Sequence, residues 1–402
     1  MNPFLFIKSS LKSHITINLS FIFLVAISVG LGIGISSQER ALRKGTAKAA
    51  DKFDLLITSP GSKIDMLLNI VYLRHSFIEL IPPENWTPVL SEKKINFAAP
   101  IVFGDSYKKI PIVGSIPKFV SHLSNNIIEG RLFNHSHEVV VGAGVFLKIG
   151  DIFTPSHGLS FVQDNEGHEG QYFKVVGILP YTGTPWDKAI ITSVESIWNI
   201  HGLPNGHNPK GPTPKQIGPP FDNDFLPGVS VVIVNPKNIS AAYGIRNKYQ
   251  TNDTMAFFPA EVLVQLYRYF ANVTKVLKTI SISTQILIIL SVIIGLIILM
   301  QLFSKQFAIF RAIGATKNYI FYVIWINSFV LVLIGCILGL IFGYLFTFIT
   351  SMYIVNETGI YFKSSIGYSE LYFIIYTLII GLAISTIPAI NLYRYPVIKF
   401  LR

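Results

Sequence analysis

Residues 304–316 read Ser-Lys-Gln-Phe-Ala-Ile-Phe-Arg-Ala-Ile-Gly-Ala-Thr, a short basic segment that separates two long apolar runs. The flanking runs are Ile280–Phe303 and Ile320–Ile349. A helix needs about 20 apolar residues to cross roughly 30 Å of hydrocarbon, and both runs satisfy that length. The pattern predicts two membrane helices joined by a short basic loop.

Two further apolar runs, Ile15–Ser36 and Leu371–Ile390, satisfy the same rule of length. The first run is longer than the apolar stretch of about 7–15 residues in a cleaved signal peptide, so we expect it to be retained.

The chain of 402 residues is 50% hydrophobic and only 14% charged, which excludes a mainly water-soluble enzyme. Residues 37–278, between the first and second runs, have the composition of an ordinary soluble domain.

The charges of the loops predict the orientation. Residues 1–14, 304–318 and 391–402 together hold eight Lys and Arg residues and no acidic residue. Because cytoplasmic loops are rich in Lys and Arg, both termini are predicted to be cytoplasmic and the large domain to lie outside. Of the net charge of +11, +8 is spread over these membrane-flanking loops, which argues against nucleic acid as a partner.

The four apolar runs contain no Asp, Glu, Lys, Arg or His, although ion and proton pathways usually need such groups at membrane depth. Small residues recur instead at every fourth position, as Gly30 and Gly34 and as Gly335, Gly339 and Gly343. This spacing lets helices approach closely, either within one chain or between two copies. The single cysteine, Cys336, excludes an intrachain disulfide.

The external segment reads as a mixture of short β-branched runs and helical stretches, which predicts an α+β domain. The predicted strands are Phe53–Thr58, Ile95–Phe103, Ile110–Gly114, Glu138–Gly142, Tyr172–Leu179, Ala189–Thr192 and Val229–Val234. Helices are predicted over Gln38–Asp51, Ser62–Ile81, Val194–Ile200 and Ser240–Tyr249, and from Pro259 into the second apolar run. The proline- and glycine-rich stretch Gly202–Pro227 predicts a long loop.

The basic loop itself reads as a short helix. Phe307, Phe310, Ile313 and Gly314 fall at helical spacing on one side. Gly314 suits the left-handed residue that ends a helix. A short helix with an apolar face and Arg311 has the shape to dock into a groove on a cytoplasmic partner.

Residues 305–316, KQFAIFRAIGAT, resemble the R-E-[IF]-A-I-L-R-A-[IL]-G-A loop of the MacB/FtsX-type ABC transporter permeases, which include LolC and LolE. Residues 388–402, PAINLYRYPVIKFLR, resemble the tail of the same family. Four short motifs, at residues 130–133, 138–142, 149–153 and 173–177, follow the order of its periplasmic core domain. Two departures are Gln306, where the family has Glu, and a short stretch over residues 142–150, which predicts a truncated domain helix.

The resemblance implies an α-helical membrane protein with four transmembrane helices and a large α+β periplasmic domain inserted between helices 1 and 2. The predicted parts are a cytoplasmic amphipathic segment (1–14), transmembrane helices (15–36, 279–303, 319–351, 371–390), a periplasmic MacB-like core domain with helical stalks (37–278), a cytoplasmic coupling loop (304–318), a short periplasmic loop (352–370) and a cytoplasmic tail (391–402).

The resemblance further implies a permease subunit of the bacterial inner membrane that is not itself an enzyme. Two permease chains, identical or homologous, would sit on separate ATPase subunits, which bind the ATP and Mg²⁺; the chain has no G-x-x-x-x-G-K-[ST] loop of its own. A periplasmic adaptor or substrate-binding protein is a further possible partner. The residues that the resemblance assigns to ATPase coupling are Lys305, Gln306, Phe307, Phe310, Arg311, Ile313 and Gly314.

Other functions remain open at this stage. An FtsX-like regulator would activate a periplasmic partner and carry no cargo, and a plain membrane-anchored sensor would not explain the KQFAIFRAIGAT loop. Histidine beside carboxylate can bind zinc or copper, so His135, His137 and His168 are candidate ligands of a metal-linked accessory. His135 and His137 are expected on one side of a strand. No G-x-S-x-G motif is present, and no catalytic residue is assigned.

Overall fold

The computed structural model describes residues 12–13, 15–74, 76–157, 170–212, 214–269, 309–358 and 367–394, with scattered positions between 275 and 298. The chain divides into two compact units. The helical unit comprises Met1–Leu42, Phe270–Tyr353 and Phe362–Arg402. The external unit comprises Arg43–Tyr269 and Ile354–Tyr361.

The α-helices, in chain order, are α1 (Ile15–Ala50), α2 (Lys63–Ile70), α3 (Pro83–Leu90), α4 (Pro117–Leu123), α5 (Val194–Ile200), α6 (Ile239–Lys248), α7 (Lys317–Thr358) and α8 (Tyr368–Arg394). Residues 259–269 and 309–312 are also helical. Helix α1 begins in the helical unit and ends in the external unit, which agrees with the helix predicted beyond the first apolar run.

Two helices are long and apolar enough to cross a membrane, namely Ile15–Ala50 and Lys317–Val355. The apolar part of α8, Glu370–Ala383, is shorter. The predicted second membrane helix lies mostly outside the described residues; those of its positions that are described are helical. At 1.5 Å per residue, a helix of 42 residues such as α7 extends about 63 Å, which is more than a bilayer's hydrocarbon needs.

One mixed sheet organises the external unit. Its strands are β1 (Leu55–Thr58), β2 (Ile95–Tyr107), β3 (Ile110–Ser115), β4 (Glu129–Gly130), β5 (Glu138–Val141), β6 (Ile152–Phe153), β7 (Ser156–His157), β8 (Phe173–Ile178), β9 (Ile190–Ser193), β10 (Val231–Pro236) and β11 (Met255–Phe257). The order is β11-β1-β10-β2-β3-β9-β5-β8-β4, with β6 on β8 and β7 on β2. Only β3–β9 and β5–β8 pair in parallel among the described strands, so the sheet is that of an α+β domain, as predicted.

The central strands bury both faces. Successive side chains of a strand point to opposite faces, and here each face meets a separate apolar cluster. On β1, Leu56 belongs to one cluster while Leu55 and Ile57 belong to the other. On β10, Ile233 and Val232 divide in the same way. This double burial explains why these strands read as continuous β-branched runs rather than as alternating ones.

The structure departs from the sequence prediction where proline starts a helix. The helix predicted over Ser62–Ile81 ends at Ile70, and a separate helix begins at Pro83. Helix α4, which was not predicted, begins at Pro117. Proline suits the first position of a helix, because its missing N–H has no intrahelical partner there. Residues 142–150 contain no helix.

Candidate functional site

The described part of the predicted coupling loop ends in a glycine cap. Residues 309–312 are helical. The N–H of Ala315 donates to the carbonyl oxygen of Phe310 at 2.9 Å, and the N–H of Gly314 donates to that of Arg311 at 3.1 Å. Gly314 has φ of +99°, the left-handed conformation that this pair of bonds requires. The predicted cap at Gly314 is therefore present.

The next helix begins at once. The N–H of Tyr319 donates to Thr316 Oγ1 at 3.3 Å, which caps the first turn of α7. The short helix of the loop and α7 are thus joined by only a few residues.

The side chains of the loop divide between two environments. Phe310 is half-buried and packs against the apolar core of the helical unit. Ile313 is 73% exposed and Ile309 is 49% exposed. Arg311 is half-buried. Among the described residues of the loop, the exposed large apolar side chains are therefore those of Ile309 and Ile313, and the sequence did not predict a role for Ile309.

Three of the predicted coupling residues, Lys305, Gln306 and Phe307, lie outside the described residues. Of the residues predicted to share one face, Phe307 thus lies outside the described part of the chain, whereas Phe310 and Ile313 lie within it. These two do not share an environment, because one packs inward and the other points to the surface.

The glycines of the third apolar run pack helix α7 against helix α1. A Cβ at Gly335 would lie 2.7 Å from that of Val25, and one at Gly339 would lie 2.8 Å from the carbonyl oxygen of Ala26. One at Gly343 would lie 2.9 Å from the carbonyl oxygen of Gly30. Real side chains do not approach so closely, so these positions admit only glycine without a shift of a helix.

The glycine stripes therefore serve contacts within one chain. On α1, Gly30 faces the backbone of Gly339, with its notional Cβ 3.2 Å from that carbonyl oxygen, and Gly34 faces the ring of Phe346. Of the two roles that the sequence left open, packing within a chain and contact between copies, the structure assigns these five glycines to the first.

One cavity of the external unit has a volume of about 510 Å³. Its walls are mainly apolar, with Phe77, Leu80 and Phe103 among them, and Asp105 lies in the wall. A β-bulge at residues 103–105 interrupts the pairing of β2 with β3 at this point. Volume and lining are those of a ligand pocket of ordinary size.

Asp105 has a histidine partner behind the cavity. His201 Nε2 lies 3.3 Å from Asp105 Oδ2, and the side chain of Asp105 is fully buried. Pairing with the carboxylate raises the pKa of His201 above its ordinary value. The ring of His201 also lies against Gly104, where a Cβ would come within 3.3 Å of Nε2. The glycine of the bulge thus leaves room for the imidazole.

A second histidine and carboxylate hold the proline-rich loop. Glu195 on α5 and His207 are both buried, with Nε2 of the histidine 3.6 Å from Oε1 of the carboxylate. The same oxygen accepts the N–H of Gly218 at 2.6 Å. The ring of His207 lies 5.4 Å from that of Phe221. The carboxylate of Glu195 thus contacts the loop at two points, His207 and Gly218.

The candidate metal ligands do not converge among the described residues. His135 and His137 lie on a turn that precedes β5, so the prediction that they share one side of a strand is wrong. His137 Nε2 pairs with Gln171 Oε1 at 2.9 Å, while His135 is exposed. His168 lies outside the described residues. Within the described part of the chain, no group of three or more His, Cys, Asp or Glu could hold a metal ion.

Glu138, which follows these histidines in the chain, accepts hydrogen bonds from other residues. Glu138 Oε2 accepts a hydrogen bond from Arg131 Nη1 at 2.8 Å and from the N–H of Asn134 at 2.9 Å. The hydrogen bonds to Arg131 lower the pKa of Glu138 to about 2. Glu138 is therefore an acceptor that orders the turn, rather than a ligand shared with His135 and His137.

Comparisons with known proteins give one sequence match. Residues 278–397 match the family model of the FtsX-like permease C-terminal domain. That range contains the basic loop, α7 and α8, so the predicted resemblance to the MacB/FtsX-type permeases is confirmed there. A search of curated proteins finds no match.

Two solved structures are similar to part of the chain. One is the periplasmic region of MacB from Actinobacillus actinomycetemcomitans, with 10% identity, coverage of 54% of this chain and 95% of that one, and a TM-score of 0.33. The other is the extracellular domain of the noncanonic ABC-type transporter YknZ from Gram-positive bacteria, with 12% identity, coverage of 50% and 98%, and a TM-score of 0.28. The fold of the external unit rests on the strand pairing above, and not on these likenesses.

Proposed function

We propose that this chain, which carries an FtsX-like permease domain over residues 278–397, is the transmembrane subunit of an ABC transporter. It would couple ATP hydrolysis by a separate ATPase to a conformational change of its external unit. The change would move or release a periplasmic or outer-leaflet substrate such as a lipoprotein, a peptide or a small molecule. The match of residues 278–397 to the permease family is the observation that carries the proposal.

The packing of the helical unit supports a mechanical role. Helices α1 and α7 meet through glycines and apolar side chains, with Val29 and Leu331 fully buried. The apolar runs contain no Asp, Glu, Lys, Arg or His, so they lack the groups with which ion and proton pathways are usually built. The work would instead be done outside, on the external unit.

The proposed topology has four transmembrane helices, with the external unit inserted between the first and the second. Both termini would be cytoplasmic, because residues 304–318 and both ends of the chain are basic and hold no acidic residue. The protein would lie in the bacterial inner membrane, with the external unit in the periplasm. Two chains, identical or homologous, would form the transporter.

The basic loop would be the site at which the ATPase docks. The exposed apolar side chains of Ile309 and Ile313, beside the half-buried Arg311, are suited to a groove with an apolar floor and an acidic rim. ATP and Mg²⁺ would be bound by the partner, since this chain has no phosphate-binding loop. Phe310 would join the loop to the helical core.

Co-purification tests the proposal. The full chain is expressed with its genomic neighbours, solubilised, and reconstituted into nanodiscs. We expect an ATPase subunit to be retained and to hydrolyse ATP, and its activity to depend on the presence of the permease. A wild-type chain that retains no ATPase in either detergent or nanodiscs would contradict the proposal and leave a membrane-anchored sensor in its place.

The same preparation distinguishes the function of a transporter from that of an FtsX-like regulator. Both are expected to retain the ATPase, but their external partners differ in chemistry. A co-purifying hydrolase that becomes active only when ATP turns over would indicate a regulator. A co-purifying adaptor, or a lipid or peptide that is released when ATP is added, would indicate transport.

A further inference from the structure

A buried ion pair joins α1 to the start of α8 within the helical unit. Arg40 Nη2 lies 2.7 Å from Glu370 Oε1, and the side chain of Glu370 is fully buried while that of Arg40 is 24% exposed. The other carboxylate oxygen, Oε2, accepts the N–H of Gly367 at 2.7 Å. Both oxygens of the buried carboxylate therefore have a donor, as a buried charge requires.

The residue before α8 leaves space for the guanidinium. A Cβ at Gly367 would lie 2.6 Å from Arg40 Nη1 and 3.1 Å from Glu370 Oε2. A side chain at this position would displace the guanidinium from the place where it now lies. Glycine thus lets Arg40 approach the start of α8 closely, although residues 40 and 367 are far apart in the sequence.

A second polar contact lies one half-turn away on α1. The Oγ1 atom of Thr350 on α7 lies 3.3 Å from Oε1 of Gln38. Over residues 38–40, α1 thus makes polar contacts with both α7 and α8. We call Gln38, Arg40, Thr350, Gly367 and Glu370 the polar clasp. It follows the apolar and glycine contacts that α1 makes up to Gly34.

The two kinds of contact hold the helices in different ways. The glycine contacts hold α1 against α7 by van der Waals packing of closely approaching backbones, which is one of the forces that associate helices in lipid. A buried ion pair is directional, and separation of its partners leaves an uncompensated charge in an apolar place. Of these contacts, the ion pair is the one that fixes the start of α8 on α1.

We propose that the polar clasp is a positioning device that locks the start of α8 to α1, so that a displacement of α7 and α8 is delivered to α1. Helix α1 continues without a break to Ala50, and its last residues, Ala49 and Ala50, are packed in the core of the external unit. The role in transmission rests on the proposed function, whereas the locking itself does not. Arg40 and Glu370 are thus positioning residues.

The locking is tested on the full chain in nanodiscs, without any ATPase. Spin labels are placed at two exposed positions, Leu42 on α1 and Tyr372 on α8, in a Cys336→Ala background. We expect a narrow distance distribution in the wild type and one at least twice as broad in Glu370→Gln and Arg40→Gln. The exchange variant Arg40→Glu with Glu370→Arg should restore at least part of the narrowing. Lys44→Gln, which removes an exposed cation one turn further along α1, is the control and should leave the distribution narrow.

The transmission is tested on the complex with the ATPase. Hydrogen–deuterium exchange of residues 43–50 is compared with and without ATP. We expect the change caused by ATP to fall at least fivefold in Glu370→Gln while ATP hydrolysis continues, and to stay at the wild-type level in Lys44→Gln. A merely structural loss would lower hydrolysis and exchange together.

The outcomes are distinct. An unchanged distance distribution in Glu370→Gln overturns the clasp, whether or not an ATPase is found. A wild-type exchange response in Glu370→Gln overturns its role in transmission. If the wild-type chain retains no ATPase, the proposed function fails, and the distance measurement still decides whether the clasp locks α8 to α1.

Discussion

The N–H of Ala315 donates to the carbonyl oxygen of Phe310 at 2.9 Å, and this bond closes the short helix of the basic loop on Gly314. The glycine takes φ of +99°, which a residue with a Cβ adopts only with strain. Phe310, whose carbonyl accepts this bond, packs against the apolar core of the helical unit. The end of the short helix therefore depends on glycine at position 314.

Replacement of Gly314 by Val should disturb the cap and weaken coupling. A left-handed conformation costs an L-residue about 1–2 kcal/mol, and more when the side chain is β-branched. We expect ATP hydrolysis in the reconstituted complex to fall severalfold in Gly314→Val and less in Gly314→Asn, since asparagine tolerates this conformation. Equal activities in the two variants would show that the cap geometry is unimportant.

Replacement of Ile313 by Asp should weaken binding to the ATPase without lowering the stability of the folded chain. Ile313 is 73% exposed, and surface substitutions usually change stability by no more than about 0.5 kcal/mol. We expect the affinity for the ATPase to fall about tenfold or more, which is about 1.4 kcal/mol. The melting temperature should remain that of the wild type. The control is Tyr322→Phe, at an exposed position on α7. The exposed Ile337 is not replaced by Asp, because a charge at that position would lie in lipid.

Phe310→Ala should behave differently from Ile313→Asp. Phe310 is half-buried against the apolar core of the helical unit. Its truncation should therefore lower the melting temperature as well as the ATPase activity. A variant that lost activity at wild-type stability would place Phe310 on the docking surface instead.

Replacement of Gly339 by Val should separate α1 from α7. The new Cβ would lie 2.8 Å from the carbonyl oxygen of Ala26, so one helix must move. Overpacking of this kind costs about 1–3 kcal/mol. We expect a lower melting temperature in nanodiscs and a longer distance between labels on the two helices. Ile341→Val, at an exposed position on α7, is the control and should have little effect.

The ion pair of His201 with Asp105 predicts a dependence on pH. Because pairing with Asp105 raises the pKa of His201 in the folded state, the pair stabilises fully below the unfolded pKa. That stabilisation is lost as the pH rises through the folded pKa. We expect His201→Gln to lower the melting temperature of the external unit by more at pH 6 than at pH 9.

Tryptophan fluorescence can follow this transition, since Trp86, Trp186 and Trp198 are buried in the external unit. His135→Gln is the matched control, because His135 is exposed on a turn. If His201→Gln lowered the melting temperature by the same amount at both pH values, the ring would act by packing and not by charge.

Patterns of local sequence predicted the larger elements of the fold. Seven strands and helix α5 were found from β-branched runs and from helical spacing, because burial on both faces of a sheet leaves an unbroken apolar signal. Strand β11, Met255–Phe257, was missed because it is only three residues long and contains no β-branched residue. Helices α3 and α4 were missed at prolines that begin them.

Local sequence patterns also predicted those parts of the candidate site that depend only on neighbouring residues. The cap at Gly314 is local, so its residue type and spacing were enough. The spacing of Gly335, Gly339 and Gly343 predicted a close approach, but not that the partner is α1 of the same chain. The pair Arg40–Glu370 joins residues that are 330 positions apart, and single-sequence patterns carry no such information. The inward packing of Phe310 depends on the same tertiary contacts.

Photo-cross-linking from position 313 shows whether the basic loop docks on a cytoplasmic ATPase. A photoreactive phenylalanine analogue is placed at Ile313 in the full chain, with the same analogue at the exposed Tyr353 near the other end of α7 as control. We predict a covalent adduct with the ATPase subunit from position 313 and none from position 353. No adduct from position 313, in cells that produce both proteins, would contradict the account.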